Sequence, residues 1–521
     1  MASLNRTPAL VCTGFMGAGK SSAAAAVAAA LGESHVDADE EFLARHGELP
    51  SDHIEREGEA SFRAAEEKLV LELLDGDARV IALGGGAIES AAVREALDAH
   101  VVVWCRVGVE EAKRRIEGDP SAWRPLAADP EALRERFERR EPIYAELASA
   151  VLPPADDLLA ARSAPWLGAL REHPGIRLAW ASSTSGEYPA AVGDGALELL
   201  GSAAGATLDV ARWFAITDRE AMRHHRGLLP PAEAVIEVEA AEERKTLSEA
   251  ERVLRELARA GARRDDGVIA FGGGMVGDLA GFCAATYQRG VPVVQAPTTL
   301  VAQVDSAFGG KTGVDLPEAK NYVGVYHMPA AVLAEPRVLA TLPSEELSAG
   351  FVEVLKTALI AGGPLWERVR GLEALDPAGL GDVIFACART KLEVVAADER
   401  DAGRRAVLNL GHTVGHAIEA ATGYARYRHG EAVGLGLLAS LRLSGADELR
   451  EEVRSLLERH GLPTRLGDGV APDDVLAAVA LDKKRTASGA GFVLLERPGE
   501  PREGMDVDAG SVRAAVEELS P

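Results

Sequence analysis

Apolar and polar positions along the first 150 residues fall into a repeating order. Ala9-Leu10-Val11-Cys12 is a short apolar run, followed by a glycine-rich turn and an alanine-rich helical stretch. Similar runs recur at Val80 to Leu83 and Val101 to Trp104, with helical spacing between them. Runs this short and continuously apolar suit strands buried on both faces, so the pattern predicts an α/β unit with a parallel sheet and flanking helices. Pro153, Pro154, Pro165 and Pro174 then crowd a stretch of mixed polarity, which predicts a linker at 166–176. A second α/β unit follows, with strands expected at Arg177–Trp180, Trp213–Thr217, Ala234–Val238, Val268–Phe271 and Val291–Gln295. After about Leu342 long amphipathic stretches take over (Ser344–Ile360, Asp382–Ala397, His412–Ala421, Ala432–Leu443), predicting a mostly helical unit. The expected organisation is therefore 1–165, a linker, 177–342 and 343–521.

Length and composition narrow the function classes. At roughly 150 residues per domain, 521 residues make two to four folding units. The chain is 47% hydrophobic and 26% charged, as globular proteins are. With 56 Lys and Arg against 81 Asp and Glu, the net charge is −25. Non-specific binding to nucleic acid or anionic lipid is thus disfavoured, and an anionic ligand needs a local basic cluster. Cys12, Cys105, Cys283 and Cys387 form no CxxC pair, which fits a reducing, cytoplasmic setting. The longest apolar run, Ala23 to Leu31, is too short for a membrane span.

Gly14-Phe15-Met16-Gly17-Ala18-Gly19-Lys20-Ser21 fits G-x-x-x-x-G-K-[ST] between a strand and a helix. In this pattern Gly17, Ala18, Gly19, Ser21 and Ser22 present backbone N–H groups to phosphate oxygens at a helix start, Lys20 reaches the β/γ-phosphates, and the Ser21 hydroxyl ligates Mg²⁺. Asp37-x-Asp39 follows at a strand end, where one carboxylate can hold the metal's water shell and the other can orient an acceptor hydroxyl. Together with Gly58-Glu59-x-x-Phe62-Arg63, Leu83-Gly84-Gly85-Gly86, Arg124-Pro125-Leu126 and Arg140-Glu141-Pro142-x-Tyr144, these residues resemble shikimate kinase over roughly residues 5–165. The resemblance implies ATP and Mg²⁺, with Asp39 as candidate base at the shikimate hydroxyl. It implies that Arg63 and Arg140 clamp the carboxylate, that the substrate ring approaches the Gly85 backbone, and that Arg124 is a lid residue at the transferred phosphoryl group.

The later chemistry is denser. Gly272-Gly273-Gly274-Met275-Val276-Gly277-Asp278 follows a predicted strand and suggests a pyrophosphate near a helix start, without the acidic residue of an ordinary dehydrogenase unit. Thr298, Thr299, Asp305, Lys311 and Lys320 sit on glycine-rich loops suited to an anion. Glu353 is three residues before Lys356, His412 is four before His416, and His429 opens His429-Gly430-Glu431. One glutamate and two histidines with an open position make a catalytic zinc set, and Thr413 in place of a glutamate argues against a metalloprotease.

These motifs, with Thr286-Tyr287-x-Arg289-Gly290, DSAFGGKTGVDLPEAKN, Asp398-Glu399-Arg400, Asn409-x-Gly411-His412 and Asp482-Lys483-Lys484, resemble 3-dehydroquinate synthase across about 177–500. The resemblance implies NAD⁺ used catalytically, and Zn²⁺ (or Co²⁺) held by Glu353, His412 and His429. It implies that a heptulosonate phosphate is oxidised, loses phosphate, is reduced again, and closes to a carbocycle by an intramolecular aldol step. Lys356, His416, Asp305, Arg289, Lys391, Arg405, Asn409, Lys483 and Lys311 would surround that substrate, Lys311 on the cofactor side. Glu242, Lys245, Gly274, Gly277, Asp278, Thr298, Thr299, Lys320 and Thr341 would line the NAD⁺ site, with Asp218 a further candidate. The whole reads as a kinase–synthase fusion, with small-molecule substrates and a homodimer through the synthase half. The rival readings are another P-loop kinase and a polyol dehydrogenase.

Overall fold

The computed structural model describes residues 7–118, 129–154, 157–401, 403–485 and 491–520, with the side chains of 482–485 left aside. Two compact units emerge. The first is built from residues up to Ala181 with Pro189–Ala191 and Glu198–Asp209; the second from Ser182–Tyr188, Val192–Leu197 and Val210–Pro521.

In the first unit, β1 (Leu10–Thr13), β2 (His35–Asp37), β3 (Val80–Ala82), β4 (Val101–Cys105), β5 (Ala150–Leu152) and β6 (Arg177–Ser183) lie in the order β2-β3-β1-β4-β5-β6. Every pairing is parallel. β1, β3, β4 and β5 are buried along their whole length, as their apolar runs require. Helix Lys20–Leu31 buries Ala23, Ala24, Val27 and Ala28; small side chains and high helix propensity let it pack closely.

The expected linker at 166–176 is not what the fold shows. Helix Asp157–Ala169 runs into it, keeps Pro165 inside and buries Trp166 and Leu167. Arg171 then pairs with both oxygens of Glu33 at 2.7 and 2.8 Å. Proline density suggests a linker because proline breaks helices, but two fully buried apolar side chains outweigh one lost backbone bond.

β7 (Gly186–Val192), whose Pro189–Ala191 belong to the first unit, is followed in the second unit by β8 (Trp213–Asp218), β9 (Ala234–Val238), β10 (Gly267–Gly272), β11 (Val293–Pro297), β12 (Lys311–Leu316), β13 (Ala319–Tyr326) and β14 (Ala331–Ala334). A parallel sheet runs β14-β11-β10-β8-β9. β12 and β13 form a separate antiparallel hairpin. Helix Gly274–Thr286 starts one residue after β10 and buries Val276, Leu279, Ala280 and Cys283. From Ser344 onward helices dominate, with a small hairpin of β15 (Phe492–Leu495) and β16 (Pro501–Met505) before the last helix, Ala509–Glu517. No described helix is long and apolar enough to cross a membrane.

Candidate active sites

In the first unit the Gly14–Lys20 loop leaves β1 and turns into helix Lys20–Leu31. Gly17 and Gly19 adopt φ of 77° and 79°, left-handed backbone that glycine reaches without strain. Lys20 is nearly buried, and its Nζ donates to the Phe15 carbonyl at 3.2 Å, folded back over the loop. Arg115 of helix Val109–Glu117 reaches the same loop, its Nη1 3.5 Å from the Gly17 carbonyl.

A second cluster gathers around Gly84–Gly86. A Cβ on Gly84 would stand 2.3 Å from Glu66 Oε1 and 3.5 Å from Asp39 Oδ1; one on Gly86 would lie 2.3 Å from Arg63 Cζ. These positions are glycine because charged side chains cross directly above them. Arg63 donates to Glu66 at 2.5 Å and Glu59 at 3.2 Å. Arg140 is 1% exposed and donates through Nη2 to Glu89 at 2.7 Å. Both arginines keep a buried Nε without an acceptor, a donor set a carboxylate would complete. The Gly85 carbonyl accepts from the Tyr144 hydroxyl at 2.5 Å. Burial raises the Glu66 carboxyl, with Asp39 adding to the rise and Arg63 and Arg140 opposing it. Asp37, by contrast, caps helix Ala38–His46 by accepting from the Asp39 N–H at 2.8 Å. Arg124 lies outside the described residues.

In the second unit three helices converge. Ser344–Ala361 carries Glu353 and Lys356, His412–Ala421 carries His412 and His416, and His429–Leu443 begins with His429. Glycines set how closely they approach. A Cβ on Gly430 would stand 1.9 Å from the Ala349 carbonyl, and one on Gly436 would stand 2.0 Å from the Gly411 carbonyl. One donor atom each from Glu353, His412 and His429 then falls within 4.8 Å of the others. Glu353 is wholly buried, and its Oε1 has His429 Nε2 at 3.4 Å and His412 Nε2 at 3.7 Å. Its Oε2 has Lys356 Nζ at 2.5 Å, yet neither oxygen makes a hydrogen bond of good geometry. A buried carboxylate so placed, with two imidazoles facing it, fits a dication of zinc type. His412 Nδ1 lies 3.2 Å from the Leu410 carbonyl, which fixes a tautomer with Nε2 free to ligate. Burial and Lys356 push His412 well below its ordinary value, keeping it neutral. Burial works against a charged Glu353, but Lys356, His429 and His412 hold it well below the usual carboxylate range. Burial likewise opposes charge on His429, but Glu353 and Glu419 raise it to about 10, so this pocket favours positive charge.

Asp305 sits in a π-helical turn, Ala302–Ser306, and Lys391 Nζ lies 2.5 Å from both its carbonyl and its Oδ1. Burial would raise Asp305, yet Lys356 and Lys391 bring it down to about 2. Arg405 is buried and donates to the carbonyls of Glu399 (2.7 Å) and Gly309 (3.2 Å). Gly309 N–H donates to the Tyr188 hydroxyl at 3.3 Å, and Glu399 accepts from Ser185 N–H at 2.8 Å, so the turn between β6 and β7 braces this corner. Lys311 pairs with Asp401.

The nucleotide candidates gather at the carboxyl end of β10, where open α/β sheets bind ligands. Lys245 is 2% exposed and holds Asn321 at 2.7 Å, Glu242 at 2.9 Å and Asp278 at 3.2 Å. Burial lifts Asp278 to about 6 despite Lys245. Gly274 and Gly277 open the helix at this end, and the Thr298 N–H donates to the Gly272 carbonyl at 2.9 Å. Thr299 packs on Gly273, where a Cβ would meet its methyl at 2.9 Å. A cleft of about 450 Å³ is lined by Asp278, Lys311, Asn321, Tyr322 and Tyr326. Lys320 lies 3.8 Å from Glu419 and over the Tyr424 ring at 4.4 Å.

Other expected residues stand apart from these contacts. Arg289 is exposed on a left-handed turn with φ of 73°. Asn409 is exposed at the end of a 3₁₀ turn. The Thr341 hydroxyl pairs with His225 Nε2 at 2.7 Å. Asp218 spends its Oδ1 capping helix Arg219–His225. Lys483 lies on helix Pro472–Arg485, its side chain outside the description. Conversely Glu66, Glu89, Arg115 and Glu419 were not foreseen. Glu66 follows Arg63 by three residues and Glu419 follows His416 by three, spacings that put each on its partner's helix face.

Residues 235–349 match the family model of the 3-dehydroquinate synthase N-terminal region and 350–485 that of its C-terminal region. The 3-dehydroquinate synthase of Symbiobacterium thermophilum is 44% identical over 350 residues, 64% of this chain and 98% of the relative. The chain belongs to the 3-dehydroquinate synthase family. That of Gloeobacter violaceus is 39% identical over 64% of this chain and 96% of its own length. Among solved structures, a 2-epi-5-epi-valiolone synthase from Streptomyces hygroscopicus with NAD⁺ and Zn²⁺ bound is 27% identical, with a TM-score of 0.55, covering 64% of this chain and 96% of its own. Residues 16–160 match the shikimate kinase family model. The synthase therefore carries a kinase in the same chain, and the protein is a bifunctional shikimate-pathway enzyme.

Proposed function

We propose the following residue roles for its two reactions, the phosphorylation of shikimate by ATP and the conversion of 3-deoxy-D-arabino-heptulosonate 7-phosphate to 3-dehydroquinate and phosphate. In the kinase, the Gly17–Ser22 backbone and Lys20 grip the ATP phosphates and Ser21 holds Mg²⁺. Arg63 and Arg140 present their unpaired Nε donors to the shikimate carboxylate. Glu66 and Glu89 fix those guanidinium planes from behind. Asp39, beside Glu66 across Gly84, accepts the proton of the attacking hydroxyl. Arg124 neutralises charge on the transferred group.

In the synthase, Glu353, His412 and His429 hold the metal, and Glu242, Lys245, Gly274, Gly277, Asp278, Thr298, Thr299, Lys320 and Thr341 hold the nucleotide, with Lys311 at their edge. NAD⁺, when bound, would accept and return a hydride, and Zn²⁺ or Co²⁺ held by Glu353, His412 and His429 would draw electron density from the oxygen on the substrate carbon being oxidised. Lys356, Lys391 and Arg405 supply positive charge for phosphate and carboxylate in a buried pocket, where each counts for more than in water. Arg289, Asn409 and Lys483 complete that recognition. Asp305 holds Lys391 in place, and His416, beside His412 with ring centroids 5.2 Å apart, is poised to shuttle protons. Kinase residues 1–165 and synthase residues 177–342 and 343–521 are the working divisions, in a cytoplasmic homodimer formed through the synthase half.

The observation that carries the synthase reading is the convergence of Glu353, His412 and His429 beside Lys356 and Asp305. The test is stoichiometry. Phosphate release from the heptulosonate without net NADH supports it; NADH accumulating with product would instead indicate a dehydrogenase. Light scattering tests the dimer.

A further inference from the structure

Glu419 is 5% exposed, and neither reaction scheme above uses it. It lies seven residues after His412 and three after His416, on one face of helix His412–Ala421. Its Oε1 stands 3.5 Å from His429 Nδ1 and 3.8 Å from Lys320 Nζ. The opposite ring nitrogen, His429 Nε2, faces Glu353 Oε1 at 3.4 Å. Two carboxylates thus address the two nitrogens of one imidazole. The need for this is local. His429 opens its helix, and its side chain is 39% exposed against 11% for His412. His412 is packed in and has the Leu410 carbonyl for its Nδ1; His429 has neither restraint, so its ring plane and tautomer need an outside acceptor.

We infer that Glu419 is a positioning residue for the metal centre. It accepts the Nδ1–H of His429, which leaves the Nε2 lone pair for the ion, and its contact with Lys320 ties this ligand to the β12–β13 hairpin. A carboxylate in this place makes the imidazole a stronger donor than a carbonyl would. The inference rests on the metal reading of Glu353, His412 and His429.

The test uses the full chain loaded with Co²⁺, comparing wild type with E419Q, E419A and H412A. Metal per chain, the rate of Co²⁺ loss to a chelator and the visible absorption spectrum are read, with melting temperature as a check on folding. Wild type should hold at least one ion per synthase site, and H412A should lose it; failure of either result overturns the metal reading itself. Given both, E419A should release Co²⁺ about 10- to 100-fold faster with an altered spectrum, and E419Q should fall between. Release and spectra unchanged in folded E419A would overturn the role of Glu419. So would a second ion bound by wild type and lost in E419Q, since the close approach of His416, Glu419 and His429 would then mark Glu419 as a ligand. Should E419A fail to fold, E419Q alone decides by the same comparison of rate and spectrum.

Discussion

Replacing Gly430 with alanine tests how the metal donors are brought together. The new Cβ would lie 1.9 Å from the Ala349 carbonyl, whereas real Cβ contacts essentially never fall under 3.0 Å. The obstructing atom is backbone, so helix His429–Leu443 or helix Ser344–Ala361 must retreat by about 1.1 Å, the difference between those distances. Metal–ligand distances tolerate only about 0.2 Å, and His429 is the adjacent residue. Misplacement on the order of 1 Å costs about 10²-fold in rate, and overpacking costs about 1–3 kcal/mol of stability. G430A should therefore lose about 10²-fold in synthase kcat/KM and bind metal more weakly. Phosphorylation of shikimate by the same molecules should stay at the wild-type rate, since Gly430 belongs to the second compact unit. Steady-state assays of both activities on one preparation, with metal analysis, read this out. A folded G430A with wild-type metal content and synthase rate would refute the claim that helix contact at this glycine sets the site.

R140K keeps the charge of a residue only 1% exposed but removes the guanidinium fork; shikimate KM should rise about 10-fold or more, the worth of a charged hydrogen bond, with ATP KM unchanged. Y188F removes the hydroxyl that accepts from Gly309 N–H; about 1 kcal/mol of lost positioning should appear as a several-fold lower synthase kcat/KM with kinase kinetics unaltered. Asp278 is raised by burial to about 6 from 3.8, so its protonated form favours the fold: the contribution is full below about pH 4 and disappears as pH rises through 6. D278N should flatten the stability profile of the synthase half across that window and gain most relative to wild type above pH 6, as followed by chemical unfolding at several pH values.

Much of this architecture was legible because the informative features are local. The Gly14–Ser21 loop carries its own geometry within eight residues, and His412 and His416 share a helix face at a fixed interval. The strands were visible because parallel strands buried on both faces must be continuously apolar. The rest depends on distant contacts. Glu89 and Glu419 are ordinary turn or helix acids until the fold sets an arginine or imidazole against them, and Glu66 is an ordinary helix partner of Arg63 until the fold brings Asp39 and Gly84 beside it. The 166–176 region misled because proline content speaks of backbone preference, while the burial of Trp166 and Leu167 depends on a surface elsewhere in the unit. Asp37 and Asp218 carry a local role the motifs did not name: each caps the helix that follows it.

Two separate working centres share one polypeptide. The direct measurement assays shikimate phosphorylation and heptulosonate-phosphate conversion on the purified full chain beside K20A and H412A. Wild type should perform both, K20A should abolish only the first, and H412A should abolish only the second. Loss of both activities in either folded variant, or retention of the targeted one, would contradict this.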